Sequence, residues 1–181
     1  MKRNRGYSLI EIMTIVGVMA IGSNVAVVQM KASLNAVDAD IAASTIAGQL
    51  RMAREVAVNQ RRNVIVQFPD STTVNVTRVE SDASTTLVSS KTLPSGYTFG
   101  LAMGMGDTPE GYGNDGAVTF NGATSATFLA DGTLVDDAGI IVSGSVFTIG
   151  GGNGTARAVT LAGANGRVKR YYIKNSAWVA R

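Results

Sequence analysis

From Ile12 to Met30 the chain runs through nineteen residues without a charge, most of them apolar. At about 1.5 Å per residue this makes a helix of ~28 Å, close to the ~30 Å hydrocarbon thickness of a bilayer. The run predicts a membrane-spanning segment. Beyond it, Lys31 to Gln60 contains no proline and one glycine, Gly48, and the alanine-rich stretch Ala39–Ala47 favours helix. Leu34, Val37 and Ile41 recur at helical spacing, as do Ile46, Leu50, Ala53 and Ala57. One helix is expected from about Tyr7 to Asn59, its outer half laying an apolar stripe on the rest of the protein. Gly17 and Gly22 lower helix propensity in the apolar half and are expected at close-packing or melting points.

After Gln60 the hydrophobic period shortens to two. Val64, Val66 and Phe68 alternate, Pro69-Asp70-Ser71 turns, and Val74 and Val76 alternate again. Further short runs are 97–99, 117–120, 126–129, 140–142, 146–149, 158–161 and 168–173, and Asn121-Gly122 and Asn165-Gly166 are hairpin signals. The expected class is α+β: a long N-terminal helix packed on an antiparallel β-sheet domain.

The start of the chain adds a processing question. Lys2, Arg3 and Arg5 precede Gly6, and the apolar segment follows. An ordinary secretory signal places its cut site after the apolar part. Here the candidate cut site, Gly6, lies before it, so cleavage would remove the basic leader and keep the helix. Basic residues on that side leave the N-terminus in the cytoplasm and export the remainder. Glu11 then sits at the membrane edge, where an unpaired charge is costly. It is either a headgroup-level carboxylate or the partner of a neighbour's free amine, which cleavage would create at Tyr7.

Gly6-Tyr7-Ser8-Leu9-Ile10-Glu11-Ile12 resembles the class III signal of type IV pilins and type II secretion pseudopilins, with Tyr7 for the usual Phe and Ser8 for the commoner Thr. The resemblance implies cleavage after Gly6 by a prepilin peptidase, N-methylation of Tyr7, and an assembly role for Glu11. Leu50–Asn59 followed by Val64–Phe68 resembles the start of the GspH/FimT domain of minor pilins. Thr127-Phe128-Leu129-Ala130-Asp131-Gly132 resembles its Phe-x-x-x-Gly strand and turn, and Asn165-Gly166-Arg167-Val168-Lys169-Arg170 its closing Gly-Arg-Val element. The resemblance implies a minor pilin or pseudopilin with the pilin fold, of a type II secretion pseudopilus or a type IV pilus, with the filament tip among its places. The expected segments are a leader at 1–6, a transmembrane and assembly half-helix at 7–30, an outer half-helix at 31–60 and a β-rich domain at 61–181. The implied partners are other pilins or pseudopilins, the prepilin peptidase and the inner-membrane assembly platform. The implied location is the inner membrane, single-pass, with the C-terminal domain in the periplasm or on an extracellular filament.

The chain of 181 residues has 16 Lys and Arg against 13 Asp and Glu. Three of the bases lie in the leader, so a chain cleaved at Gly6 is balanced and the pI of 9.4 describes the precursor. There is no Cys, which excludes disulfides and thiol chemistry, and no His, which removes the usual general base and the commonest metal ligand. No catalytic constellation appears, so a membrane-anchored enzyme is the weakest class and no cofactor is expected.

Charge is unevenly distributed. From Glu80 to Asp137 eight acids face one base, Lys91, whereas Gly139 to Arg181 holds Arg157, Arg167, Lys169, Arg170, Lys174 and Arg181 and no acid. Tyr171, Tyr172 and Trp178 are interleaved with these bases, the mixture that a nucleic-acid backbone and its bases require. In the FimT branch a Gly-Arg-x-Arg element is associated with DNA binding during uptake; Gly166-Arg167-Val168-Lys169 matches it with Lys for the second Arg, which keeps charge and loses the planar fork. DNA is therefore the alternative partner, with Arg167, Lys169, Arg170 and Trp178 as candidate contacts. The competing reading is a strand that pairs with the acidic middle of its own or a neighbouring subunit. Strand alternation sends Arg167 and Lys169 to the face opposite Arg170. Asp107, Glu110, Asn114 and Asp115 lie in a glycine-rich loop and are oxygen ligands of the calcium type, but their spacing fits no calcium-loop template and a solvated turn is expected. Gly150–Gly154 is expected as a turn, Asp136-Asp137 as a turn rather than a hydrolytic pair, and Met103 and Met105 as loop packing.

Overall fold

The computed structural model describes residues 8–101, 104–151 and 155–181, and within the helix it leaves the side chains of 22, 24–28 and 32 undescribed. Gly6, Tyr7, Met103 and residues 152–154 lie outside this description. By internal contacts the chain divides after Asn35 into residues 1–35 and Ala36–Arg181. One helix, α1 (Leu9–Gln60), runs through the division.

In the first unit the helix starts just after Ser8, whose carbonyl accepts from the Glu11 and Ile12 amides at 3.0 and 3.2 Å. Glu11 lies in the first turn, where the helix dipole favours an acid. Leu9, Ile10, Ile12, Met13, Ile15, Val16, Val18, Met19 and Ile21 are all exposed, so apolar side chains surround the helix. The hydroxyls turn inward: Thr14 Oγ1 donates to the Ile10 carbonyl at 2.5 Å and Ser23 Oγ to Met19 at 2.8 Å. Among the described residues no helix is long and apolar enough to cross a membrane. The expected segment Ile12–Met30 passes through side chains outside the description.

Among the described residues, the second unit contains the outer part of α1 and eleven strands: β1 (Val64–Gln67), β2 (Thr73–Val79), β3 (Thr85–Thr92), β4 (Tyr97–Phe99), β5 (Val118–Phe120), β6 (Ser125–Phe128), β7 (Leu134–Val135), β8 (Gly144–Gly150), β9 (Arg157–Ala162), β10 (Arg167–Lys174) and β11 (Ala177–Ala180). They form two antiparallel sheets, as the expected α+β class allows. The first has the order β3-β2-β1-β6-β7; the second has β11-β10-β9-β8-β4, with β5 also on β8. The helix face buried against them is Ala39, Ala42, Ala43, Ile46, Ala47, Leu50, Ala53 and Ala57. Small side chains let the backbone approach closely, and Val66, Val76, Phe128, Val146 and Leu161 complete the same core. Leu34, Val37 and Ile41 do not belong to this stripe. They are 51%, 51% and 47% exposed, because the alanine row on another face of the helix is the one that fits the sheets.

The turn signals hold locally. Asp70 Oδ1 accepts from the Thr72 and Thr73 amides at 2.6 and 2.7 Å and so ties the β1–β2 turn. Asn121 and Gly122 both have positive φ, and Phe120 and Ala123 exchange two backbone bonds of 3.1 Å across them. This turn joins strands of different sheets and is a corner rather than a sheet hairpin. The segment expected as a strand at 140–142 makes only an isolated bridge, Val135 to Ile141.

Candidate functional site

The basic residues near the C-terminus are separated by the fold into three environments. The first lies beside the helix. Arg157 is 5% exposed. Its Nε donates to Asp40 Oδ1 at 2.8 Å and its Nη1 to the Ala156 carbonyl at 2.9 Å. Arg181 also pairs with Asp40, and its amide donates to the Arg170 carbonyl at 3.0 Å. Burial raises the Asp40 carboxyl, but hydrogen bonds from Arg157 and Arg181 outweigh it and hold the group below the usual carboxylate range. Arg170 faces the helix too, donating from Nη1 to Ser44 Oγ at 3.1 Å.

The second environment is the opposite face of β10. Lys169 Nζ donates to Glu110 Oε1 at 2.6 Å, and the Tyr171 hydroxyl donates to the same oxygen. The Glu110 side chain is only 10% exposed, and its Oε2 has no hydrogen-bond partner among the described residues. Burial raises the Glu110 carboxyl, and Lys169 and Tyr171 bring it below its usual value. Trp178 donates from Nε1 to the Gly106 carbonyl at 2.8 Å and lies 5.8 Å from the Phe147 ring. Phe147, Ala158 and Tyr171 form a small second core here, with Leu101 and Trp178 packed against it. A polar row crosses the sheet beside that core: Thr119 pairs with Ser145, Ser145 with Thr160, and Thr160 with Lys169. Strand alternation gives Lys169 and Tyr171 one face and Arg170 the other, as their contacts require.

The third environment is the β9–β10 turn. Arg167 is exposed and lines a cavity of about 440 Å³ with Arg51, Arg54, Glu55 and Asn165. Arg54 Nε donates to the Gly132 carbonyl at 3.1 Å. Arg51 and Arg54 lie more than a hundred residues from Arg167, so no local pattern joins them; their spacing on the helix was the only available signal. The pairing of Glu110 with Lys169 was likewise visible only as an acidic middle opposite a basic end.

The loop acids do not converge. Asp107 Oδ2 accepts from the Gly113 amide at 2.8 Å, its Oδ1 accepts from Thr108 at 2.6 Å, and Asn114 Nδ2 donates to the Met105 carbonyl at 3.0 Å. Among the described residues no three acidic groups gather as a metal site requires. Glu11 is exposed in the first turn of α1.

No protein-family model matches the chain, and no curated protein does. Solved structures do resemble it. The type IV minor pilin FimU of Pseudomonas aeruginosa is 18% identical, with 77% of this chain covering 91% of that one at a TM-score of 0.51. The minor pseudopilin EpsH of the Vibrio cholerae type II secretion system is 15% identical, with 75% covering 96% at a TM-score of 0.50. The fold is therefore pilin-like: a long N-terminal helix packed on antiparallel β-sheets.

Proposed function

We propose that this chain is a minor subunit of a type IV filament machine, either a type II secretion pseudopilus or a type IV pilus. In this reading a prepilin peptidase cuts after Gly6 and Tyr7 is methylated. Residues 7–30 hold the subunit in the inner membrane and then pack in the filament, with the β-rich unit outside the cytoplasm. The observation that carries the reading is a helix surrounded by exposed apolar side chains, Leu9 to Ile21, leading into a pilin-like fold. Such a helix needs lipid or other helices around it. The inward-turned Thr14 and Ser23 hydroxyls suit the same surroundings. Glu11 pairs with the terminal amine of a neighbour. The subunit has a structural role and needs no catalytic group.

The test is Glu11→Ala in the full chain. Membrane insertion and processing stay intact, while cross-linking to the adjoining filament subunit falls sharply, since losing one partner of a buried charge pair costs ~3–5 kcal/mol. Unchanged cross-linking contradicts the assembly role. DNA capture is a second reading, supported by the exposed Arg167 beside Arg51.

A further inference from the structure

Lys169, Tyr171 and Trp178 share one face of the β10–β11 hairpin, and one segment covers them. Gly104–Ala117 crosses this face, with Glu110 on Lys169 and Tyr171 and the Gly106 carbonyl on Trp178. Arg167, two residues before Lys169 on the same strand, lies on the same face and stays exposed. Beneath the cover lie one cation and two aromatic rings, Lys169, Tyr171 and Trp178, and Arg167 extends the same stripe beyond it.

We propose that this segment is an autoinhibitory strap over a single-stranded nucleic-acid site, with the Glu110 carboxylate standing where a phosphate would bind. The inference rests on the DNA reading and deepens it. A carboxylate and a phosphate offer the same anionic oxygens to Lys169, and Trp178 and Tyr171 supply the flat faces on which unstacked bases lie.

The polar row of Ser145, Thr160 and Lys169 runs across the sheet on this face. Glu110 Oε2 and Ser145 Oγ are buried without hydrogen-bond partners among the described residues, and orphaned polar atoms offset the gain of closing. Gly104, Gly111 and Gly113 have φ of 78°, 68° and 96°, so the strap has backbone points at which it can swing.

The test uses the full chain in detergent micelles, a fluorescein-labelled oligothymidylate and a salt series. The parent binds weakly. Glu110→Gln binds roughly tenfold tighter or better, the loss of one charge-assisted contact in the closed state. Glu110→Gln with Lys169→Gln returns to parental affinity. A Glu110→Gln variant that binds no more tightly than the parent overturns the proposal. So does competition by hexaglutamate as effective as by unlabelled oligothymidylate, which would make the face a general acid-binding surface. Hydrogen exchange of the parent gives an independent reading. The Gly113 amide and the Trp178 indole exchange far faster than the β9 ladder amides, and equal protection overturns the strap. None of these outcomes depends on processing at Gly6 or on Glu11, so the subunit reading stands or falls separately.

Discussion

Gly166 leaves open the space that Arg54 fills. A Cβ on Gly166 would lie 2.2 Å from Arg54 Cδ, and its φ of 63° already disfavours a side chain. The same arginine donates to the Gly132 carbonyl, and a Cβ on Gly132 would stand 3.0 Å from its Nε. Gly132 belongs to the β6–β7 turn of the first sheet and Gly166 to the β9–β10 turn of the second. One helical side chain therefore fastens a turn of each sheet.

Replacing Gly166 by Ala should lower stability by about 1–3 kcal/mol, from the left-handed backbone and the displaced Arg54. Urea unfolding of the full chain in micelles measures this. Arg54→Ala should remove much of the added cost of Gly166→Ala, since the obstructing side chain is gone. Additive losses would contradict the shared contact.

Asp40 and Arg157 make the second prediction. Asp40→Asn leaves a buried guanidinium without its carboxylate and should cost about 3 kcal/mol. The pH dependence follows from the sign. The folded-state pKa of Asp40 is depressed, so its stabilisation is fully present above the unfolded value of ~4 and is lost as pH falls through the folded value. Glu110 acts in the same direction. The thermal midpoint of the parent should drop as pH falls below about 4, and Asp40→Asn should flatten part of that drop. An equally steep fall in the variant would argue against the pair.

The helix register gives a third prediction. Ile46 is fully buried and Ile41 is 47% exposed, although both fit a helical hydrophobic period. Ile46→Ala should cost about 2–5 kcal/mol, while Ile41→Ala should change stability by less than about 0.5 kcal/mol. Comparable losses at both positions would place the wrong face against the sheets.

These residues also show what the sequence disclosed. The helix, the alternating strands β1, β2, β6, β8, β9 and β10, and the turns at Asp70 and Asn121 were readable, because apolar period and turn chemistry are local. The choice between two apolar faces was not, since Ile41 and Ile46 differ only in what packs on them. Strand β3 was missed because seven of its eight residues are exposed and show no alternation. β7 has two residues, too few for a period. The separation into two sheets depends on pairings far apart in the chain. At the candidate site, the basic and aromatic residues of β10 and β11 were legible, but their covering by Glu110 and Gly106 was not. That contact spans about sixty residues and follows from the path of a glycine-rich segment without its own hydrophobic signal.

If residues 1–6 are a leader and the apolar helix stays on the mature subunit, mass spectrometry of the membrane-bound protein finds a chain beginning at Tyr7, carrying one methyl group on its amine, and an uncut precursor for Gly6→Val. A mature N-terminus beyond Met30 would mean that the helix is an ordinary cleaved signal, and would contradict the assignment of this chain as a filament subunit.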